Sequence, residues 1–241
     1  MQQGFPNHVS SATAPLLNFY LSARSLTMDD TSCPSFPRLN ERAPEFNART
    51  TFGDRCLKDY EGKWLILFSH PADFTPVCTT EFIAFAKAAD SFRSMNCELL
   101  GLSIDSLFSH LAWTRNIKEK FGVEITFPII EDLKMEVARA YGMIHPGAGD
   151  TSAVRATFLI DPKGMLRAMV YYPMSNGRSI PEFLRLLQAL QTSDANGVAT
   201  PEGWLPGQPV IVPPPKTSES ADSRKNEGYD YVDWYFSRKT L

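Results

Sequence analysis

Trp64-Leu65-Ile66-Leu67-Phe68-Ser69-His70-Pro71-Ala72-Asp73-Phe74-Thr75-Pro76-Val77-Cys78-Thr79-Thr80-Glu81 runs from an apolar strand into the start of a helix. Trp64 to Phe68 form a short apolar run of the kind a buried strand shows. Beyond it, Phe82, Ile83, Phe85, Ala86, Ala89 and Phe92 recur on one side of a 3.6-residue helical period. Thr75 suits the N-cap and Pro76 the first helical position. Cys78 then falls in the first turn, where unpaired N–H groups and the helix dipole favour negative charge. A thiol so placed is favoured as the thiolate, its reactive form.

Working outward, strand patterns lie near 97–104, 127–130, 154–160 and 165–172, besides 64–69. Helical patterns lie near 77–94, 106–121, 132–141 and 179–191. Asp161-Pro162-Lys163-Gly164 predicts a hairpin turn, and Ser179-Ile180-Pro181-Glu182 a capping box. Strands first alternate with helices, then pair as a hairpin, then end in a helix. That order predicts an α/β fold with a central mixed sheet covered on both faces. Residues 29–45 are Pro- and Ser-rich and are expected to wrap the surface. After residue 192 prolines punctuate the chain, and Tyr229, Tyr231, Trp234, Tyr235 and Phe236 cluster near its end. Such a tail left free exposes a sizeable apolar patch, so it is expected to dock on its own or a partner subunit.

At 241 residues the chain can bury a full hydrophobic core. A net charge of -3 with no basic patch argues against nucleic-acid or anionic-membrane partners. No apolar run approaches the roughly 18 residues that span a bilayer. The four cysteines, Cys33, Cys56, Cys78 and Cys97, show neither C-x-x-C spacing nor a metal pattern with the four histidines. Reduced thiols in a cytoplasmic setting, with no cofactor and no metal, are the expectation. Residues 1–28 carry a short apolar patch, Leu16 to Leu21, with no basic segment before it, which argues against a secretory signal. An organelle transit segment, or a true start at Met28, stays open.

A thiolate nucleophile gains from a nearby cation. Arg155 interrupts the apolar strand Val154-Arg155-Ala156-Thr157-Phe158-Leu159-Ile160, where a charge is costly unless paired. Pairing with Cys78 and a solvent-facing place on an edge strand both fit the pattern. Pro71 and Pro76 stiffen the loop and shield the sulfur.

Pro71-x-x-x-Thr75-x-x-Cys78, with Arg155 far downstream, resembles the active-site signature of the peroxiredoxins, thiol peroxidases of thioredoxin-like fold. The likeness runs from about Pro44 to Trp234 and takes in Gly101 to Ser106, His110-Leu111-Ala112-Trp113, Tyr171-Tyr172-Pro173 and Ile211 to Pro215. His70 to Cys78 is most similar to the one-cysteine subgroup. Residues 1–35, ahead of that likeness, are expected to be a flexible N-terminal extension, and the resemblance implies a thioredoxin-like peroxidase domain over 36–192 and a C-terminal dimerisation arm over 193–241. It implies that Cys78 attacks hydrogen peroxide or an organic hydroperoxide and becomes a sulfenic acid. Thr75, the Cys78 N–H and Arg155 are then the expected donors to the transition state, and Pro71 limits solvent. Arg178 matches a second arginine near such sites, and His70, Glu81 and Trp113 match supporting positions; His70 reads equally well as a hydrogen-bonded structural histidine.

The departures matter as much. Thr200 stands where two-cysteine relatives carry a resolving cysteine, and Tyr231 and Ser237 flank Asp233-Trp234-Tyr235-Phe236 where some archaeal relatives carry cysteines. The implied enzyme therefore depends on an external thiol such as glutathione or thioredoxin. Cys97 is expected in the core and Cys56 in a structural place. Cys33 stands either as an inert thiol or as an unusual resolver. The resemblance also implies a homodimer, with a decamer as a larger assembly. A holdase role does not require Thr75 and Arg155 around Cys78. Lipase chemistry lacks its G-x-S-x-G turn, because Gly101-Leu102-Ser103-Ile104-Asp105 has no closing glycine.

Overall fold

The computed structural model describes residues 1, 36–145, 147 and 152–241. In chain order its elements are β1 (Asn47–Ala48), β2 (Arg55–Cys56), β3 (Trp64–Ser69), α1 (Pro76–Ser94), β4 (Cys97–Ser103), α2 (Leu107–Phe121), β5 (Ile129–Glu131) and α3 (Glu136–Ala140). There follow β6 (Arg155–Ile160), β7 (Leu166–Tyr172), α4 (Ile180–Asn196), β8 (Val210–Ile211), α5 (Ser218–Ser223), β9 (Asp230–Asp233) and β10 (Phe236–Lys239). Cys33, the apolar patch at 16–21 and the reading of 1–28 lie outside the described residues.

Five strands form the central sheet in the order β5-β4-β3-β6-β7. β3 pairs parallel with β4 and antiparallel with β6, so the sheet is mixed as expected. Alternate side chains of a strand face opposite ways, and here both faces are buried. Leu65 and Leu67 of β3 join a core with Leu100, Val137, Tyr141 and Phe158. Trp64, Ile66 and Phe68 point to the other core, with Phe82, Phe85, Trp113, Phe183 and Leu187 from α1, α2 and α4. Gly101 lets α1 lie close on β4, since a Cβ there would sit 3.2 Å from the Phe82 ring.

The hairpin expected at Asp161 to Gly164 is present: β6 and β7 pair antiparallel, and the Gly164 N–H donates to the Asp161 carbonyl at 2.8 Å. Gly164 takes φ +78°, a conformation that favours glycine. The capping box expected at Ser179 does not form. Ser179 precedes α4 without a side-chain cap, and Glu182 instead pairs with Arg185 one turn on, at 2.6 Å. α3 is shorter than the 132–141 pattern, because Asp132 stays outside it and accepts the Val137 and Ala138 N–H groups. No helix among the described residues is long and apolar enough to cross a membrane.

The C-terminal strands form a separate sheet in the order β8-β10-β9. A small core of Ala189, Val198, Trp204 and Val210 links the end of α4 to β8.

Candidate active site

β3 delivers the chain into a loop over residues 70–75, and α1 leaves that loop with Cys78 as its third residue. An N–H at that position has no helical carbonyl four residues back. β6 begins beside the loop. The Ser69 hydroxyl donates to the Val154 carbonyl at 2.5 Å and accepts the Ala156 N–H at 3.1 Å, which brackets Arg155 in place.

Arg155 is 3% exposed, which rules out a solvent-facing place on an edge strand. Its Nη1 donates to Cys78 Sγ at 3.3 Å and to Glu81 Oε2 at 2.8 Å. Its Nε and Nη2 both donate to the Met174 carbonyl, at 3.0 and 2.8 Å. Glu81 lies three residues beyond Cys78, so the helix presents both on one face. Arg178 closes the cluster: its backbone N and Nε donate to Glu81 Oε1 at 2.7 and 2.8 Å, and its Nη2 to Oε2 at 2.8 Å. Its Nη1 reaches the Ala156 carbonyl and the Thr157 hydroxyl. The Arg178 guanidinium also lies 5.4 Å from the Phe68 ring centroid and 5.9 Å from that of Phe85. Burial pushes the Glu81 carboxyl up, but Arg178 and then Arg155 outweigh it and hold the group below the ordinary carboxylate range.

A second cluster fixes the loop. Asp73 is buried and accepts from both sides: His70 Nε2 lies 2.9 Å from Oδ1, and His110 Nδ1 2.8 Å from Oδ2. Its backbone N–H donates to Asp105 at 3.0 Å. Burial pushes the Asp73 carboxyl up, yet hydrogen bonds from His110 and His70 hold it far below the usual range. Burial lowers His70, only partly opposed by Asp73, so its ring is neutral. Its Nε2 then carries the proton given to Asp73. Trp113 stacks on the His70 ring at 5.1 Å and donates to the Thr79 hydroxyl at 3.3 Å. Pro71 is buried at the start of the loop.

A family model described as the AhpC/TSA family matches residues 39–169, and one for the C-terminal domain of 1-Cys peroxiredoxin matches residues 189–228. A peroxiredoxin of Aquifex aeolicus is 57% identical over 218 residues, 86% of this chain and 98% of that protein. The chain belongs to the AhpC/TSA family, in its one-cysteine peroxiredoxin subgroup. A peroxiredoxin of Methanosarcina mazei is 52% identical over 213 residues, 84% of this chain and 97% of that one. The solved yeast mitochondrial 1-Cys peroxiredoxin superposes with a TM-score of 0.77 at 40% identity, covering 85% of this chain and 99% of that chain. The fold is accordingly thioredoxin-like. As a peroxiredoxin the protein is a thiol-dependent peroxidase that reduces hydrogen peroxide and organic hydroperoxides through a cysteine sulfenic acid.

Of the residues singled out in the sequence, the peroxiredoxin fold brings Cys78, Arg155, Glu81 and Arg178 into one hydrogen-bonded group, with His70, Pro71, Thr75 and Trp113 in or beside the loop. Thr75 takes the N-cap position expected of it, but its hydroxyl caps no N–H; the proton goes to the Ala72 carbonyl at 2.9 Å. His70 carries the structural bond to Asp73. Asp73 and His110 join the site through contacts that their places in the loop and in the His110 to Trp113 motif do not by themselves reveal. Cys97 is buried in the core, which pushes its thiol up and keeps it protonated. Cys56 is half-buried at the end of β2. The described His, Cys, Asp and Glu side chains offer one group close enough to hold a metal, His70, Asp73 and His110. Its atoms already face one another at hydrogen-bonding distances.

Proposed function

We propose that Cys78 is the peroxidatic nucleophile and that Arg155 holds both the sulfur and the reacting oxygens. The observation that carries this reading is the 3.3 Å contact between Arg155 Nη1 and Cys78 Sγ inside a buried ion cluster. Two guanidiniums and one carboxylate leave one positive charge uncompensated, and a thiolate at Cys78 completes the balance. The thiolate attacks one peroxide oxygen; the S–O bond forms as the O–O bond breaks, and water or an alcohol leaves after taking up a proton. Charge spreads over sulfur and two oxygens, where Arg155 and the first-turn N–H of Cys78 supply fixed donors. Thr75 accepts from the peroxide hydrogen and so orients it.

The sulfenic acid needs two external thiols. The first condenses with it to a mixed disulfide and water; the second releases Cys78 and leaves as the oxidised disulfide. The yeast relative is described as resolving its thiol through glutathione/thioredoxin systems, and we extend reductants of that kind to this chain. Cys78 is 0% exposed, so a reductant gains the sulfur only when the first turn of α1 or the loop before it opens. We further propose a homodimer built through the aromatic tail, with a decamer as the larger assembly.

The test is one equivalent of hydrogen peroxide on the fully reduced protein with dimedone present, mapped by peptide mass. A single adduct on Cys78 is expected. A disulfide from Cys78 to Cys33, Cys56 or Cys97 would make it a two-cysteine enzyme, and an unmodified Cys78 would remove it as nucleophile.

A further inference from the structure

His110 makes two contacts that a neutral ring cannot make together. Its Nε2 lies 3.1 Å from the Ile130 carbonyl oxygen, and its Nδ1 lies 2.8 Å from Asp73 Oδ2. A carbonyl oxygen has no proton to give, so Nε2 must donate. A bare Nδ1 would then set its lone pair against a carboxylate oxygen at hydrogen-bonding distance, unless Asp73 itself carried the proton. Asp73 also accepts from His70 on its other oxygen, and donors on both sides favour the carboxylate. The proton therefore belongs on the ring.

We propose that His110 is a positioning residue for the peroxidatic loop, held with a proton on each ring nitrogen so that it ties Asp73 to the backbone of β5. The ring is 0% exposed. It stands one turn into α2, which Ser106 caps through the Ser109 N–H. One imidazolium thus joins α2, β5 and the loop that sets Thr75 and Cys78. The charged and titratable groups around it are Asp73 and His70 from the loop, Asp105 beyond β4, and Glu131 of β5 with Arg49 paired to it at 2.5 Å. Asp105 is turned toward the Asp73 N–H and the Ser103 hydroxyl, and Glu131 toward the Leu107 N–H and Arg49, which leaves Asp73 as the carboxylate that His110 contacts.

Both bonds exist together only on a ring that carries a proton on each nitrogen. An asparagine amide nitrogen sits near the place of Nδ1 and donates to Asp73 at every pH. A glutamine amide nitrogen sits near the place of Nε2, keeps Ile130 and abandons Asp73.

The proposal rests on Cys78 as the nucleophile. The readout is the second-order rate of Cys78 oxidation by hydrogen peroxide, each variant compared with wild type at one pH. If dimedone leaves wild-type Cys78 unmodified, it is the proposed function that fails; if wild type reacts, the His110 variants test this proposal alone. His110→Gln should slow oxidation by about tenfold or more, since small displacements of a reacting group cost up to ~100-fold. His110→Asn should stay within about threefold of wild type. Both should keep a wild-type circular dichroism spectrum. Equal rates in the two folded variants would overturn the proposal. Should neither variant fold, the full-length wild-type chain labelled with 15N-histidine decides: one ring with a proton on each nitrogen is expected, and a bare nitrogen on every ring would overturn it.

Discussion

Glu81 holds two guanidiniums with two oxygens, and that arrangement explains why the cation beside Cys78 is an arginine. Arg155 spends Nε and Nη2 on the Met174 carbonyl and divides Nη1 between Glu81 and the sulfur. A lysine ammonium has neither the planar fork nor enough donors on fixed bearings to do all three. Arg155→Ala should therefore lower the second-order rate of Cys78 oxidation by about 100-fold or more, on the scale of removing one oxyanion donor. Stopped-flow oxidation with hydrogen peroxide reads this, and an unchanged rate would take Arg155 out of the chemistry. Arg178 acts differently. It makes no contact with the sulfur in this structure and reaches it only through Glu81, so it sets the angle at which Arg155 is held.

At the scale of elements, α1 carries both Cys78 and a large part of one core. Pro76 starts it with a fixed φ, and it ends where Asn96, just past the C-cap Met95, turns left-handed at φ +52°. Its inner side stacks aromatic rings on the sheet: Phe68 and Phe85 lie 4.0 Å apart, and Phe85 and Phe183 6.1 Å apart in near-parallel planes. Gln191 of α4 donates to the Met95 carbonyl at the far end. Phe85→Ala should cost about 3–5 kcal/mol of unfolding free energy, because a fully buried ring leaves a cavity that three elements cannot close. Urea unfolding checks it. A loss under about 1 kcal/mol would mean that the ring adds little to the core.

At the scale of the whole molecule, the C-terminal tail presents exposed apolar side chains. Val232, on β9, and Trp234 and Tyr235, in the turn between β9 and β10, are 62%, 47% and 55% exposed. Apolar surface in that concentration marks an interaction face. Sedimentation of the wild type should show a dimer or a multiple of it, and Trp234→Ser with Tyr235→Ser should shift the population toward monomer. A monomeric wild type at micromolar concentration would end the case for docking between copies.

Three things were decided in the sequence itself. The apolar run from Trp64 to Phe68 and the period from Phe82 to Phe92 settle a strand and a helix, because burial demands those repeats. The first-turn place of Cys78 follows from Thr75 and Pro76, since helix starts are local. The hairpin at Asp161 to Gly164 is equally local. What the sequence left open is what depends on distant groups. Arg155 read as well on an edge as inside, and only the 74-residue reach to Glu81 put it inside. Thr75 was legible as the residue before the helix, yet the direction of its one hydroxyl proton depends on the loop's own fold. The role of His110 was invisible, because both of its acceptors, Asp73 and the Ile130 carbonyl, are 37 and 20 residues away. Tertiary structure chose these partners for the same physical reason throughout: a buried charge or proton must be matched, and its match need not be near in sequence.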